Sequence, residues 1–196
     1  MKSAKPLALA FGITLATLLA NAPRVQAQYG YPPPPPPRGM YRGGLTFGGS
    51  VGAGSISSQN CGPYCGGAGM IEGHIGGMLN PRLALMGDFW GGFHPWDDGL
   101  GTGTTYHGLY TLAAQYWATP ILWFKGGLGF SQLQYGYDGS YNEANESGTG
   151  LLLAAGVEVL QSYNFALDLQ FRYGRGFYTE GPDVNNVAFM IGLNWY

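Results

Sequence analysis

The sequence predicts an all-β protein, an eight-stranded antiparallel up-and-down transmembrane β-barrel, on three observations. The first is a strict alternation at residues 186–195. Val187, Phe189, Ile191, Leu193 and Trp195 are apolar, and Asn186, Ala188, Met190, Gly192 and Asn194 between them are mostly small or polar. A period of two makes a strand with one oily face, and about ten residues is what a tilted strand needs to cross a bilayer. In a soluble protein, an oily strand with no capping tail would be an aggregation-prone edge. It is expected if that strand closes a membrane barrel. The second observation is that connections alternate between long and short. The third is that charges inside strands keep to the less oily face.

The N-terminal residues read as an export signal. Lys2 and Lys5 give a positive start, Leu7 to Ala22 is apolar but short for a membrane helix, and Val25-Gln26-Ala27 is a small-residue cleavage signature. Residues 1–27 are therefore the expected signal peptide. No Cys follows the cleavage site, so a lipid-linked N-terminus is not expected. Residues 28–40 form a Pro-rich periplasmic linker containing six consecutive prolines, Pro32 to Pro37. Proline has no N–H for a sheet ladder, so this run reads as a stiff polyproline II spacer. Residues 41–196 are the barrel.

Bulk composition agrees with this division. Glycine accounts for 35 of 196 residues and charge for only 10%. Disordered chains are poorer in aromatics and richer in charge, whereas glycine with aromatics in short alternating runs fits all-β structure. Without residues 1–27 the chain holds six Lys/Arg and eleven Asp/Glu, a net charge of about −5 with His neutral. That balance argues against a nucleic-acid partner.

The predicted strands run Gly44–Ser57, Gly69–Leu79, Arg82–His94, Thr105–Ala118, Leu122–Tyr135, Gly148–Leu160, Phe165–Tyr178 and Asn186–Trp195. Ser58–Ala68, Pro95–Thr104, Gly136–Ser147 and Thr179–Asn185 are the long connections. Asn80-Pro81, Thr119-Pro120-Ile121 and the turn around Ser162-Tyr163-Asn164 are the short ones. Long outer loops and short periplasmic turns are the pattern of transmembrane barrels.

The second predicted strand sets Ile71, Ile75 and Leu79 against Glu72 and His74. The third sets Leu83, Leu85, Phe89 and Phe93 against Asp88 and His94. In the fifth, Leu122, Phe124, Leu128 and Phe130 oppose Lys125. In the sixth, Leu151, Leu153, Ala155, Val157 and Val159 oppose Glu158. The seventh sets Phe165, Leu167, Leu169, Phe171 and Tyr173 against Asp168, Gln170 and Arg172. A charge on the lipid face costs about 2–4 kcal/mol near the midplane, so the oily faces are expected outward. A water-soluble ligand-binding barrel would invert both faces. Short turns, the final strand and scarce surface charge favour the membrane.

Aromatics cluster near strand ends. Tyr116, Trp117, Trp123, Phe124, Tyr163, Phe165, Trp195 and Tyr196 are expected to ring the periplasmic boundary. Phe93, Trp96, Tyr106, Tyr137, Phe177 and Tyr178 are expected to ring the outer one, where amphipathic rings meet headgroups.

On these grounds the chain resembles the small eight-stranded outer-membrane barrels, the group of the OmpA transmembrane domain, OmpX and Opa-type proteins. The resemblance covers residues 41–196 and includes Phe189-Met190-Ile191-Gly192-Leu193-Asn194-Trp195-Tyr196, which is similar to the terminal signal read by the barrel-assembly machinery. The family usually ends in Phe on the lipid-facing parity; here that parity ends at Trp195 and Tyr196 is one further. The resemblance implies the outer membrane of a Gram-negative-type cell and contact with outer-membrane lipid and lipopolysaccharide. It also implies a monomer.

An eight-stranded barrel is only wide enough for its own side chains. The expected interior is an ion-pair network of Glu72, Asp88, Lys125, Glu158, Asp168 and Arg172. Lys125 and Glu158, each about three residues from a periplasmic turn on neighbouring strands, are expected to pair. Arg172 is expected to pair with Glu72, Asp88 or Asp168. Cys61 and Cys65 in the first long loop read as a disulfide, as close pairs in exported proteins usually do. Asp97, Asp98, Asp138, Glu143, Glu146, Glu180 and Asp183 make the outer loops acidic, with His94 and His107 flanking the Asp97-Asp98 loop. They read as a solvated rim, and no metal or cofactor is expected. A nucleophile beside a His and an orienting acid would mark a hydrolase; no lipid-facing His/Ser pair is visible. The expected role is structural or surface-interacting and non-enzymatic. The alternatives are a narrow ion or small-solute channel, a lipid-modifying enzyme, or a soluble periplasmic ligand-binding barrel.

Overall fold

The computed structural model describes residues 41–59, 61–97, 99, 101–137, 140–179 and 181–196, with backbone alone for 137 and 140–144. The predicted signal peptide and linker lie outside the described residues, as do Asp98, Asp138, Glu180 and the side chain of Glu143. Eight strands follow one another around a closed barrel: β1 (Leu45–Ser58), β2 (Gly66–Asn80), β3 (Leu83–Asp97), β4 (Thr102–Trp117), β5 (Leu122–Tyr137), β6 (Ser140–Gln161), β7 (Phe165–Phe177) and β8 (Val184–Trp195). Every neighbouring pair is antiparallel, and β1 pairs with β8 to close the sheet. Closure removes the edges that an oily strand would otherwise expose.

The two faces of the sheet separate as the alternation predicts. In β8, Phe189, Ile191 and Leu193 are exposed while Asn186, Ala188, Met190 and Asn194 are buried. Val51, Leu112, Leu128, Phe130 and Phe189 are each more than 60% exposed. Such a band is unfavourable against water and fits hydrocarbon. Glycines on the outer face are partly roofed by aromatics: the Tyr106 ring lies over Gly91 and Gly108, and packs against Phe93 with centroids 5.0 Å apart.

The outer loops are shorter than the sequence predicts. β6 alone spans 22 residues. The stretch Gly136–Ser147, expected as a loop, is mostly the continuation of the β5–β6 hairpin, with Gln134 opposite Asn145 and Tyr135 opposite Ala144. Where a strand has no oily face the alternation that marks it disappears from the sequence, while the backbone ladder continues. The first outer loop does contain the predicted disulfide: Cys61 and Cys65 are bonded and flank a single turn of 3-10 helix, Gly62–Tyr64. His94 on β3 holds this loop, with Nδ1 2.8 Å from the Gly67 carbonyl oxygen and Nε2 3.1 Å from that of Pro63.

The turns between β2 and β3, β4 and β5, and β6 and β7 are tight. Asn80 Oδ1 accepts from the Arg82 amide at 2.8 Å, Thr119 Oγ1 accepts from the Leu122 amide at 3.0 Å, and the Ser162 amide donates to Phe165 O at 2.7 Å. Polar side chains bonding to nearby backbone are what fix such short turns.

Candidate functional site

The barrel interior is filled. Towards the outer end lies an apolar cluster that includes Ile56, Met70, Trp90, Leu109, Leu152 and Met190. Towards the end with the short turns lies a second, with Met86, Ala113, Trp117 and Trp123. The ion network sits between them, because alternate residues of one strand climb the lumen in steps. On β3, Met86 belongs to the lower cluster, Trp90 to the upper, and Asp88 stands between.

Glu72, Asp88, Lys125 and Arg172 come together at this level. Lys125 Nζ lies 2.8 Å from Asp88 Oδ2 and 3.6 Å from Glu72 Oε1. Arg172 Nη2 lies 2.6 Å from Asp88 Oδ1, and its Nη1 is 3.2 Å from Glu72 Oε1. Ser50 donates to Glu72 Oε2 at 2.7 Å, and His74 Nδ1 is 2.7 Å from Glu72 Oε1. Arg172 also lies over the Trp90 ring, 5.3 Å from its centroid. Two carboxylates thus face two cations, all four buried. Burying charge is tolerable only with such mutual pairing. Glu72, His74 and Asp88 offer ligand-type atoms within 4.8 Å of one another. Lys125 and Arg172 already lie against both carboxylates, so a divalent ion there would be placed beside two fixed cations. The donor set fits an ion-pair core and not a metal centre.

Asp168 and Glu158 make no ion pair with these four; Gln170 links Asp168 to Arg172, whose Nη1 donates to Gln170 Oε1 at 3.3 Å. Asp168 accepts from Gln170 at 2.9 Å, Asn194 at 2.9 Å and Trp123 Nε1 at 3.0 Å. The predicted Lys125–Glu158 pair does not form. Lys125 is level with Ala154 on β6, whereas Glu158 is opposite Asp168, beside a bulge between Glu158 and Leu160. Tilted strands are staggered, so equal distances from two turns do not mean equal depth.

Glu158 makes another set of contacts at the mouth beside the short turns. Its Oε1 accepts from Trp117 Nε1 at 2.7 Å and from the Tyr196 hydroxyl at 2.9 Å. Its Oε2 accepts from Arg42 Nη2 at 2.5 Å and from Gln161 Nε2 at 2.6 Å. Arg42 also stacks over the Trp117 and Tyr196 rings, 4.9 Å and 5.5 Å from their centroids. Burial, and after it the Glu158 carboxylate, push the Tyr196 phenol well above its ordinary range.

Several aromatics expected in the girdles point inward. Trp117, Trp123, Trp96 and Tyr178 are buried in the barrel, and Tyr196 is part-buried on the inward parity, while Tyr116, Phe124, Tyr163, Phe93 and Phe177 remain exposed. The signal was present: counting by two from Ala113 through Gln115 reaches Trp117, and from Asn194 reaches Tyr196. His107 is also internal and fully buried, its carbonyl 3.4 Å from Asn186 Nδ2, and does not flank a loop. Arg42 was not expected as a lumen group, because it precedes the first alternating run.

The fold is that of the small eight-stranded outer-membrane β-barrels. Two solved structures show the likeness. Neisserial surface protein A is 16% identical, with a TM-score of 0.59 over 77% of this chain and 96% of that one. Ail, the attachment invasion locus protein of Yersinia pestis, solved in complex with the heparin analogue sucrose octasulfate, is 14% identical, with a TM-score of 0.56 over 79% of this chain and 99% of that one. No family model and no curated protein matches the sequence.

Proposed function

We propose that this protein is a non-enzymatic outer-membrane β-barrel with a closed lumen, whose outer strand ends and loops contact a partner at the cell surface. The observation that carries the reading is the pairing of an exposed apolar belt with an interior packed by two apolar layers and an ion-pair layer. The belt supports residence among outer-membrane lipid and lipopolysaccharide, and the packing argues against a channel. In this reading β8 is the strand presented to the barrel-assembly machinery, and the protein works as a monomer.

Attachment, the role named for the Yersinia pestis barrel, is a reading that extends to this chain. The sulfated ligand bound by that barrel does not carry over. Described acidic groups at the outer end include Asp97, Glu146 and Asp183, and Arg175 is committed to Asp183 at 2.7 Å. That pair borders a hollow of about 350 Å³ lined also by Ser57, Ser58, Gln59 and Asn185. A polar, neutral or cationic partner suits this rim better than a polyanion.

Planar-bilayer recording of the refolded protein tests the closed lumen. The expected result is no steady single-channel conductance. A stable open level would favour the narrow-channel alternative.

A further inference from the structure

Arg42, which precedes β1, and Tyr196, which follows β8, meet on one carboxylate. Glu158 stands on β6, and β6 pairs only with β5 and β7. Its bonds to Arg42, Tyr196 and Trp117 therefore cross the mouth to strands it does not touch in the sheet. The Tyr41 amide adds a bond to the Tyr163 carbonyl oxygen at 2.9 Å, in the β6–β7 turn, and the two rings stack 6.0 Å apart. The segment before β1 is thus laid over the far side of the barrel, where Arg42 also donates to the Pro120 carbonyl oxygen at 2.7 Å.

The β1–β8 seam gives this arrangement something to do. β1 carries Gly48, Gly49, Gly52 and Gly54, and a Cβ at Gly52 or Gly54 would collide with the carbonyl oxygens of Phe189 and Val187. β8 therefore approaches closely along a strand with few side chains. The ladder there is continuous, with little side-chain interdigitation to back it. Phe47 stacked on Trp195, centroids 5.4 Å apart, is the aromatic contact at its periplasmic end.

We propose that Glu158 is a latch that ties both seam strands to the opposite wall through Arg42 and Tyr196, and so keeps the β1–β8 seam from opening sideways. Charge-assisted bonds in a part-buried site are strong, and Glu158 has two donors on each oxygen. Opening the seam would strip the carboxylate of Arg42 and Tyr196, which flank the two seam strands, and leave it only Trp117 and Gln161.

Amide hydrogen exchange of the whole barrel in lipid nanodiscs, read by mass spectrometry, tests this. Arg42→Ala should speed exchange in β1 and β8 about tenfold or more, and leave β3 and β4 unchanged, because local opening reports local stability. Tyr196→Phe should give a smaller change in the same two strands, and Arg42→Lys should restore part of the protection. Unchanged exchange in β1 and β8, or an equal rise in every strand, overturns the proposal. Arg42 lies outside the strands, and a latch acts only on a barrel already closed. Failure of Arg42→Ala to reach the heat-shifted barrel form on gels would overturn it too.

Discussion

Arg172 ties the ion layer of the lumen together, with Nη1 3.2 Å from Glu72 and Nη2 2.6 Å from Asp88. Its parity on β7 puts it inside, where the lumen-facing acids Glu72, Asp88, Glu158 and Asp168 outnumber the lumen cations predicted with them, Lys125 and Arg172. That it bridges Glu72 and Asp88 depends on barrel stagger, which no local pattern records. Replacing it with Met leaves two buried carboxylates sharing Lys125. The expected loss is about 3–5 kcal/mol of unfolding free energy in micelles, with part recovered when Asp88→Asn is added. Glu158 was legible as an inward charge, but its partner Arg42 precedes the first alternating run. The bond from Tyr196 to Glu158 gives a pH signature. The phenol's folded value is raised, so the stability it contributes is full below its ordinary value of 10.0 and is lost as pH rises towards the folded value. Wild type and Tyr196→Phe should therefore converge in unfolding midpoint above pH 10, with wild type the more stable below it.

At the level of the strand, alternation is readable wherever one face is apolar and exposed and the other is packed in the lumen. All eight strands were located, and their periplasmic ends agree closely with prediction, because Asn80, Pro81, Thr119 and Pro120 punctuate them. At the other ends the strands run further than the alternation does, most of all in β6. The sequence from Ser140 to Ser147 has no apolar alternation, so only the ladder with β5 identifies it as strand. Position near a strand end does not by itself put an aromatic in a girdle, since Trp117 and Trp123 are packed in the lumen. Leu169 is 51% exposed on the outer face of β7. Leu169→Arg should cost about 2–4 kcal/mol in a bilayer and lower the assembled fraction, whereas Leu169→Ala should assemble. Comparable yields of folded barrel from both variants would place that face in water.

For the molecule as a whole, the two apolar clusters and the ion layer between them make the lumen a core, and the outer surface takes the place that a core-facing surface has in soluble sheets. A glycine-rich composition with little charge is consistent with that inversion: lipid needs no charged coat, and close strand approach needs small residues. The inversion is also where the membrane and soluble readings separate most cleanly. The most direct test is gel mobility of the cell-envelope fraction, run with and without heating. An outer-membrane band that migrates differently before and after heating is the predicted result, because a closed barrel resists detergent until heated. A protein recovered in the soluble periplasm, with one mobility under both conditions, would contradict the account and put the oily faces inside.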